Sequence, residues 1–286
     1  MDTRRANRKR KVLVVTDLHA GSKYSVMPDE VYVEGGDTPN QQNKICSNGL
    51  QKVLYKEWRK MCDEVGKVDA CITLGDNIDG PNYKSRGFEL WTPSLHQQVK
   101  TAADLLSEIR CPKFGYFGVQ GSGYHVSENC SADLGVIDCL GGTFGTDLTL
   151  DFLDKRIHCS HVIAPSSSPV SKATAPQAEI MWSVINVGLF GELDLILRGH
   201  RHEYIELINS KGHFIAVPGW KTRDAFLAKM GLKAAGNEIG YVVLEIENGK
   251  DIKVDSHIVT LKRDVIIKEI DCERLIPSEC FERDFE

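Results

Sequence analysis

The chain has 286 residues, of which 42% are hydrophobic and 26% charged, and a formal net charge of −5. That is length enough for a large buried core, in the composition of an ordinary water-soluble globular protein. The acidic balance excludes adhesion to nucleic acid by the whole surface, though not by a local basic patch, and no run of 18 apolar residues offers a membrane span.

Residues 1–11 carry Arg4, Arg5, Arg8, Lys9, Arg10 and Lys11 without the apolar core of a secretory leader. They read either as a solvated, flexible basic tail or as an arm that seeks phosphate. Val12 to Thr16 then reads as a fully buried, parallel strand. It ends in Asp17-Leu18-His19, at the strand terminus where open α/β sheets place their sites. Residues 20–47 are polar and aperiodic, which predicts a long loop over the site. Leu50, Val53, Leu54, Trp58 and Met61 have helical spacing and predict a helix over 48–65.

A second buried strand, Val68 to Leu74, runs into Gly75-Asp76-Asn77-Ile78-Asp79-Gly80. Turn chemistry explains the glycines and Asn77. It does not explain two carboxylates next to a core, where unpaired charge is costly. Residues 81–92 form a loop in which Tyr83, Lys84, Arg86 and Trp91 can line a pocket, followed by a helix over 94–109. A third strand, Lys113 to Val119, leads into Gln120-Gly121-Ser122-Gly123-Tyr124-His125.

After a helix near 128–140 the pattern changes to a hairpin, Thr146 to Phe152 and Lys155 to His161. His158 and His161 lie three apart on its second strand, so at most one reaches the site directly; His161, at the strand end, is preferred, and His158 reads as a core-side histidine. Residues 162–174 read as a flexible loop and 176–190 as helical. Leu193 to Leu197 is a short buried strand ending in Arg198-Gly199-His200-Arg201-His202. Two imidazoles one residue apart on an extended chain face opposite ways and could serve two neighbouring ions. A second hairpin, Tyr204 to Ile208 and His213 to Val217, ends at Pro218-Gly219, and 240–247 and 252–260 add two alternating strands. With no internal repeat or linker, one domain over 12–265 is expected, with a C-terminal tail at 266–286. Nine cysteines without a C-x-x-C spacing fit a reduced, cytoplasmic protein rather than a disulfide framework or zinc ribbon.

The strand-end residues are Asp17, His19, Asp76, His161, His200 and His202, with His125 nearby. Mixed carboxylate and imidazole suits manganese, zinc, iron or nickel better than calcium or magnesium. Six ligands exceed one tetrahedral ion, and Asp76 can bridge, which points to a dinuclear site of the kind two-metal hydrolases use. Phosphoester hydrolysis by a metal-activated, bridging hydroxide fits this toolkit best. A histidine outside the metal shell would then serve the leaving oxygen.

In this order, D-x-H, G-D-x-x-D-G, a glycine loop with His after the third strand, a strand-end His and G-H-x-H resemble the calcineurin-like metallophosphoesterase superfamily, over about residues 12 to 219. The resemblance implies an α/β four-layer sandwich of two facing mixed β-sheets flanked by helices. It also implies that Asp17, His19 and His202 hold one metal, His161 and His200 the other, Asp76 bridges, and His125 is catalytic. The family usually has Asn beside that histidine, whereas this chain has Gly121-Ser122-Gly123-Tyr124-His125. The second metal therefore loses a ligand, recruits Ser122 or a water, or binds weakly. The basic N-terminus, Arg198 and Arg201 tilt the expected substrate towards phosphodiesters, nucleic acid or nucleotide among them. A phosphomonoesterase, or a scaffold of the same fold without turnover, is the alternative.

Overall fold

From Val12 onward strand β1 (Lys9–Val15) is buried throughout, so it sits inside a sheet and is covered on both faces. The computed structural model describes residues 8–34, 42–126, 131–163, 172–224 and 238–261. After β1 come a hairpin of β2 (Glu30–Glu34) and β3 (Gln42–Cys46), helix α1 (Gly49–Val65) and β4 (Ala70–Thr73). Helix α2 (Leu95–Ser107), β5 (Tyr116–Val119), the short α3 (Gly123–Val126) and α4 (Ser131–Leu140) follow. Next are β6 (Thr143–Gly145), β7 (Leu148–Phe152), β8 (Lys155–Ser160), α5 (Thr174–Ile185) and the single turn α6 (Val187–Phe190). The described chain closes with β9 (Leu195–Arg198), β10 (Ile205–Asn209), β11 (Gly212–Ala216), β12 (Glu238–Glu247) and β13 (Lys253–Thr260).

Eleven of these strands make two mixed sheets, in the orders β13-β12-β1-β4-β5-β6 and β10-β11-β9-β8-β7. Strands β1, β4, β5 and β6 are parallel, as are β8, β9 and β11, and antiparallel strands flank both groups. The inner faces pack on each other through Val12, Val14, Ile72, Ile157, Leu197 and Val242. On the outer face of the six-stranded sheet, α1, α2 and α4 contribute Trp58, Leu105 and Val136 to a second core. On the outer face of the five-stranded sheet, Ile180 of α5 packs on Ile196 and Phe214. The layers are therefore α/β/β/α, the architecture that the family resemblance implies.

Local chemistry sets the element ends. Asn48 caps α1 by accepting from Gln51 N at 2.9 Å, while Gln51 Oε1 accepts from Asn48 N at 3.0 Å. Trp58 of that helix meets Trp220, just past β11, edge to face at 4.9 Å. This contact ties an outer helix to the loop that faces the site.

Some sequence expectations need correction. Residues 20–47 are not one loop, because β2 and β3 pair within them. Val31 is the buried residue of that ribbon's apolar side, so no alternating pattern marks it. The first strand opens at Lys9, inside the expected basic tail: Lys9 pairs with Glu247, Arg10 with Asp69, and Lys11 Nζ donates to Val65 O. β6 passed unread because three residues carry no period. Residues 1–7, most of the loop over 162–174 and the tail over 266–286 lie outside the described residues. Within them, no helix is long and apolar enough to cross a membrane. The six described cysteines are free thiols.

Leu197 is fully buried between the two sheets. Leu197→Ala should lower unfolding stability by about 2–5 kcal/mol in urea titration, since the facing sheets cannot collapse into the gap.

Candidate metal centre

The parallel strands of both sheets point their carboxyl ends at one rim, and the chain leaves each strand there through a tight turn. The turns after β1 and β4 are zipped together: Asp17 N donates to Gly75 O, His19 N to Asp76 O and Ala20 N to Asn77 O, all at 2.9–3.0 Å. Trp220 N donates to Asp17 O at 3.0 Å and Gly199 N to His161 O at 3.1 Å, so one bond crosses between the sheets and one links two strand ends of the second sheet. Such turns force unusual backbone. Five of the nine described non-glycine residues with positive φ are Asp17, His19, Asp76, His200 and His202. Each such conformation costs about 1–3 kcal/mol and persists only where its surroundings over-determine it. Gly199 permits the close approach of the two sheets. A Cβ there would lie 2.3 Å from Thr16 Oγ1 and 3.1 Å from Asp17 Oδ2 and His161 Nδ1.

The six strand-end candidates assemble into two adjacent sets, Asp17/His19/His202 and Asp76/His161/His200; a third grouping, His19/Asp76/His125, overlaps both. In the first set Asp17 Oδ1 is 3.5 Å from His19 Nε2 and 3.2 Å from His202 Nε2, and the two imidazole nitrogens are 3.3 Å apart. In the second, His161 Nε2 is 3.0 Å from Asp76 Oδ2 and 3.2 Å from His200 Nδ1. Ligands about 2.1 Å from a common tetrahedral ion are about 3.4 Å from each other, which is the spacing seen.

The outer contacts suit the same purpose. Asp17 Oδ2 accepts from Thr16 Oγ1 at 2.7 Å and from His200 N at 2.9 Å, whereas the buried Oδ1 has no hydrogen-bond partner. His161 Nδ1 donates to Leu74 O at 2.6 Å and His202 Nδ1 to Lys221 O at 3.2 Å, which turns each Nε2 inward. His19 Nδ1 lies 3.1 Å from Asp79 Oδ1, a charge contact whose angle is too poor for a hydrogen bond. Two buried carboxylates, an orphaned oxygen and oriented imidazoles are costly without a cation and consistent with one. The residues present therefore fit divalent metal ions.

Burial disfavours charge on Asp17, but His202 and His161 hold its carboxyl well below the usual range. Burial likewise opposes the charge on His161, yet Asp76 and Asp17 overcome it and push that pKa up to about 10. His125 goes the other way, down to about 4, through burial and the nearby His19. Its Nδ1 donates to Asp79 O at 2.8 Å, so Nε2 is left to the cavity it lines.

Two supporting residues, Asp133 and Lys221, carry no sequence signal, while Asp79 reads there only as a strand-end carboxylate. Asp133, in the first turn of α4, is fully buried and accepts from Gly121 N at 2.8 Å, Asn77 N at 3.0 Å and Asn77 Nδ2 at 2.8 Å. It shapes the turn carrying Asp76, and burial beside Asp76 pushes its pKa up to about 6. Asp79 and Lys221 form a buried pair at 2.8 Å. An acid in a helix's first turn, or a lysine after Pro-Gly, gives no sign of such partners. Ser122, in place of the expected Asn, donates to Asp76 through N at 2.7 Å and sets Oγ 3.0 Å from Asp76 Oδ2. Arg198, expected beside the site, turns under α5 to Glu179 and His158, at 2.5 and 3.1 Å. His200 and His202 do diverge, but through left-handed turns beyond β9 rather than by strand alternation.

No family model and no curated protein matches the chain. Among solved structures it is similar to zinc-complexed wild-type Vps29 from Entamoeba histolytica, at 11% identity over 87% of this chain and 98% of that one, with a TM-score of 0.45. It is also similar to a structure described as a novel archaeal phosphodiesterase, at 11% identity over 87% and 99%, with a TM-score of 0.44. A predicted phosphoesterase from Streptococcus pneumoniae TIGR4 gives 13% identity over 87% and 99%, with a TM-score of 0.37. These neighbours have the calcineurin-like metallophosphoesterase fold. What this chain binds rests on its own residues.

Metal should compete with protons here. His161 is protonated at neutral pH in the metal-free chain, and a metal takes the neutral ring, so binding expels a proton. Calorimetric titration should show manganese affinity rising about tenfold per pH unit for each proton displaced, levelling off near pH 10. The raised pKa stabilises the metal-free fold fully below pH 6.5, a contribution lost as pH climbs through about 10. The rise in melting temperature on adding metal should therefore grow with pH. Asp76→Asn should shrink it at every pH.

Proposed function

We propose that the chain is a metal-dependent phosphoester hydrolase using two divalent ions, manganese ahead of zinc, iron or nickel, and taking phosphodiesters ahead of phosphomonoesters. The observation that carries this reading is the pair of adjacent Asp/His sets opening on one cavity of about 390 Å³ that also presents Lys84, Arg201 and Lys221. Asp17, His19 and His202 would hold one ion and His161 and His200 the other, with Asp76 between them. Bound there, divalent ions supply an activated water and neutralise charge on a phosphoryl group.

The chain's own side chains do the remaining work. Lys84, Arg201 and Lys221 give a phosphoryl group its counter-charge as it enters. Asp79 holds Lys221 in place and backs His19 from behind. Burial and His19 keep His125 neutral at neutral pH, and the negative charge of an entering phosphoryl group favours its protonated form. Anchored through Nδ1 on Asp79 O, it can pass a proton from Nε2 to the leaving oxygen. Ser122 donates to Asp76 instead of offering an amide oxygen, so the ion beside His161 and His200 is the weaker bound. Free thiols at the described cysteines suit a reducing, cytoplasmic setting.

Bis-p-nitrophenyl phosphate with manganese is the test. Turnover is expected, faster than for the monoester, abolished by Asp76→Ala and reduced about 10²–10⁴-fold by His125→Ala. A preference for the monoester would move the reading to a phosphatase. Metal binding without turnover of either ester by any divalent ion would replace it with a binding module.

A further inference from the structure

The loop between β4 and α2 carries features that phosphoester chemistry does not require. Asn82 and Lys84 line the cavity together with His19 and His202, and the residue between them, Tyr83, is 74% exposed. Phe88, further along the same loop, is 80% exposed. Arg86 lies between the two rings in sequence, and Lys84 Nζ stands 4.8 Å over the ring of Tyr124, another residue of the cavity wall.

Loose backbone does not account for these exposed rings. Asn82 Oδ1 accepts from Ser85 N at 3.3 Å and its Nδ2 donates to Asp79 Oδ2 at 2.9 Å. Lys23 Nζ donates to Phe88 O at 2.7 Å, Lys23 N to Glu89 O at 2.8 Å and Trp91 N to Gly21 O at 2.8 Å. Asp79 N donates to Ala20 O at 2.9 Å, so the loop is fastened at both ends to the turn that follows Asp17 and His19. Asn82 and Arg86 hold left-handed backbone at φ 47° and 52°, which a turn serving only as a connection could avoid.

We propose that the Tyr83–Phe88 loop is a stacking platform that delivers single-stranded nucleic acid to the metal centre, Tyr83 and Phe88 receiving bases and Lys23, Lys84 and Arg86 following the backbone. Exposed aromatic faces alternating with basic side chains beside a groove are the means by which sequence-tolerant single-strand binding is built. A duplex hides its base faces, so the rings discriminate against it. The acidic net charge of the chain confines this attraction to the mouth of the site. The inference names a substrate class for the hydrolase proposed above and rests on that reading for the cutting, though not for the binding.

Fluorescence anisotropy of the full chain with a labelled oligothymidylate, in EDTA so that no strand is cut, tests the platform. The wild type should bind the single strand at least about tenfold tighter than a blunt duplex of equal length, with affinity falling as salt rises. Tyr83→Ala and Phe88→Ala should each weaken binding about fivefold to a hundredfold, whereas Tyr83→Trp and Phe88→Trp should retain it. Equal affinity for duplex and single strand, or alanine variants that bind like the wild type, would overturn the platform. Bis-p-nitrophenyl phosphate turnover by the wild type judges the hydrolase reading separately. Turnover without ring-dependent binding removes the platform alone, and ring-dependent binding without turnover removes the hydrolase alone.

Discussion

Two carboxylates sit where water cannot reach them, at the seam between the sheets, and the surrounding structure is arranged to make that tolerable. Asp17 and Asp76 are 0% and 1% exposed. Ionised carboxylates in such a place need partners of opposite charge or a full set of donors. Asp76 has both, with Ser122 N on one oxygen and His161 on the other. Asp17 has donors on one oxygen and two imidazoles near the other. The orphaned oxygen is the point that the protein alone leaves unsatisfied and that a cation would satisfy.

The position of that seam follows from topology. Parallel strands in both sheets bring their carboxyl termini to a common rim, and the four segments that leave β1, β4, β8 and β9 must then converge within hydrogen-bond reach of each other. Left-handed backbone at five ligand candidates is the geometric consequence, because an ordinary turn would carry the side chains past the rim. Glycines at 121 and 199 clear the space, and a Cβ at Gly121 would lie 2.1 Å from Asp76 Oδ1. Trp58 against Trp220 and Asp133 beneath the Asp76 turn brace this arrangement from the outer layer.

Much of this was legible in the sequence, for a definite reason. A continuous apolar run that stops at Asp or His is a conflict between burial and charge, and strand ends resolve it by placing the charge at the rim. Asp17, Asp76, His161, His200 and His202 all announced themselves in that way. The helices that cover the sheets did so through the spacing of their apolar residues. Asp133 and Lys221 did not, because their roles exist through partners 57 and 142 positions away in the sequence, respectively; Asp79 stood out as a strand-end carboxylate, but its pairing with His19 and Lys221 did not. Arg198 misled for the complementary reason: adjacency to His200 in sequence placed it near the site, whereas strand alternation turned it under α5. The β2–β3 ribbon was hidden because a two-stranded element with little buried surface leaves no period.

Anomalous diffraction from crystals grown with manganese tests the central claim most directly. Two peaks about 3.5–4 Å apart are expected, one within bonding distance of Asp17, His19 and His202 and the other of His161 and His200, with Asp76 reaching both. Manganese absent from these side chains, or bound by other residues, would contradict it.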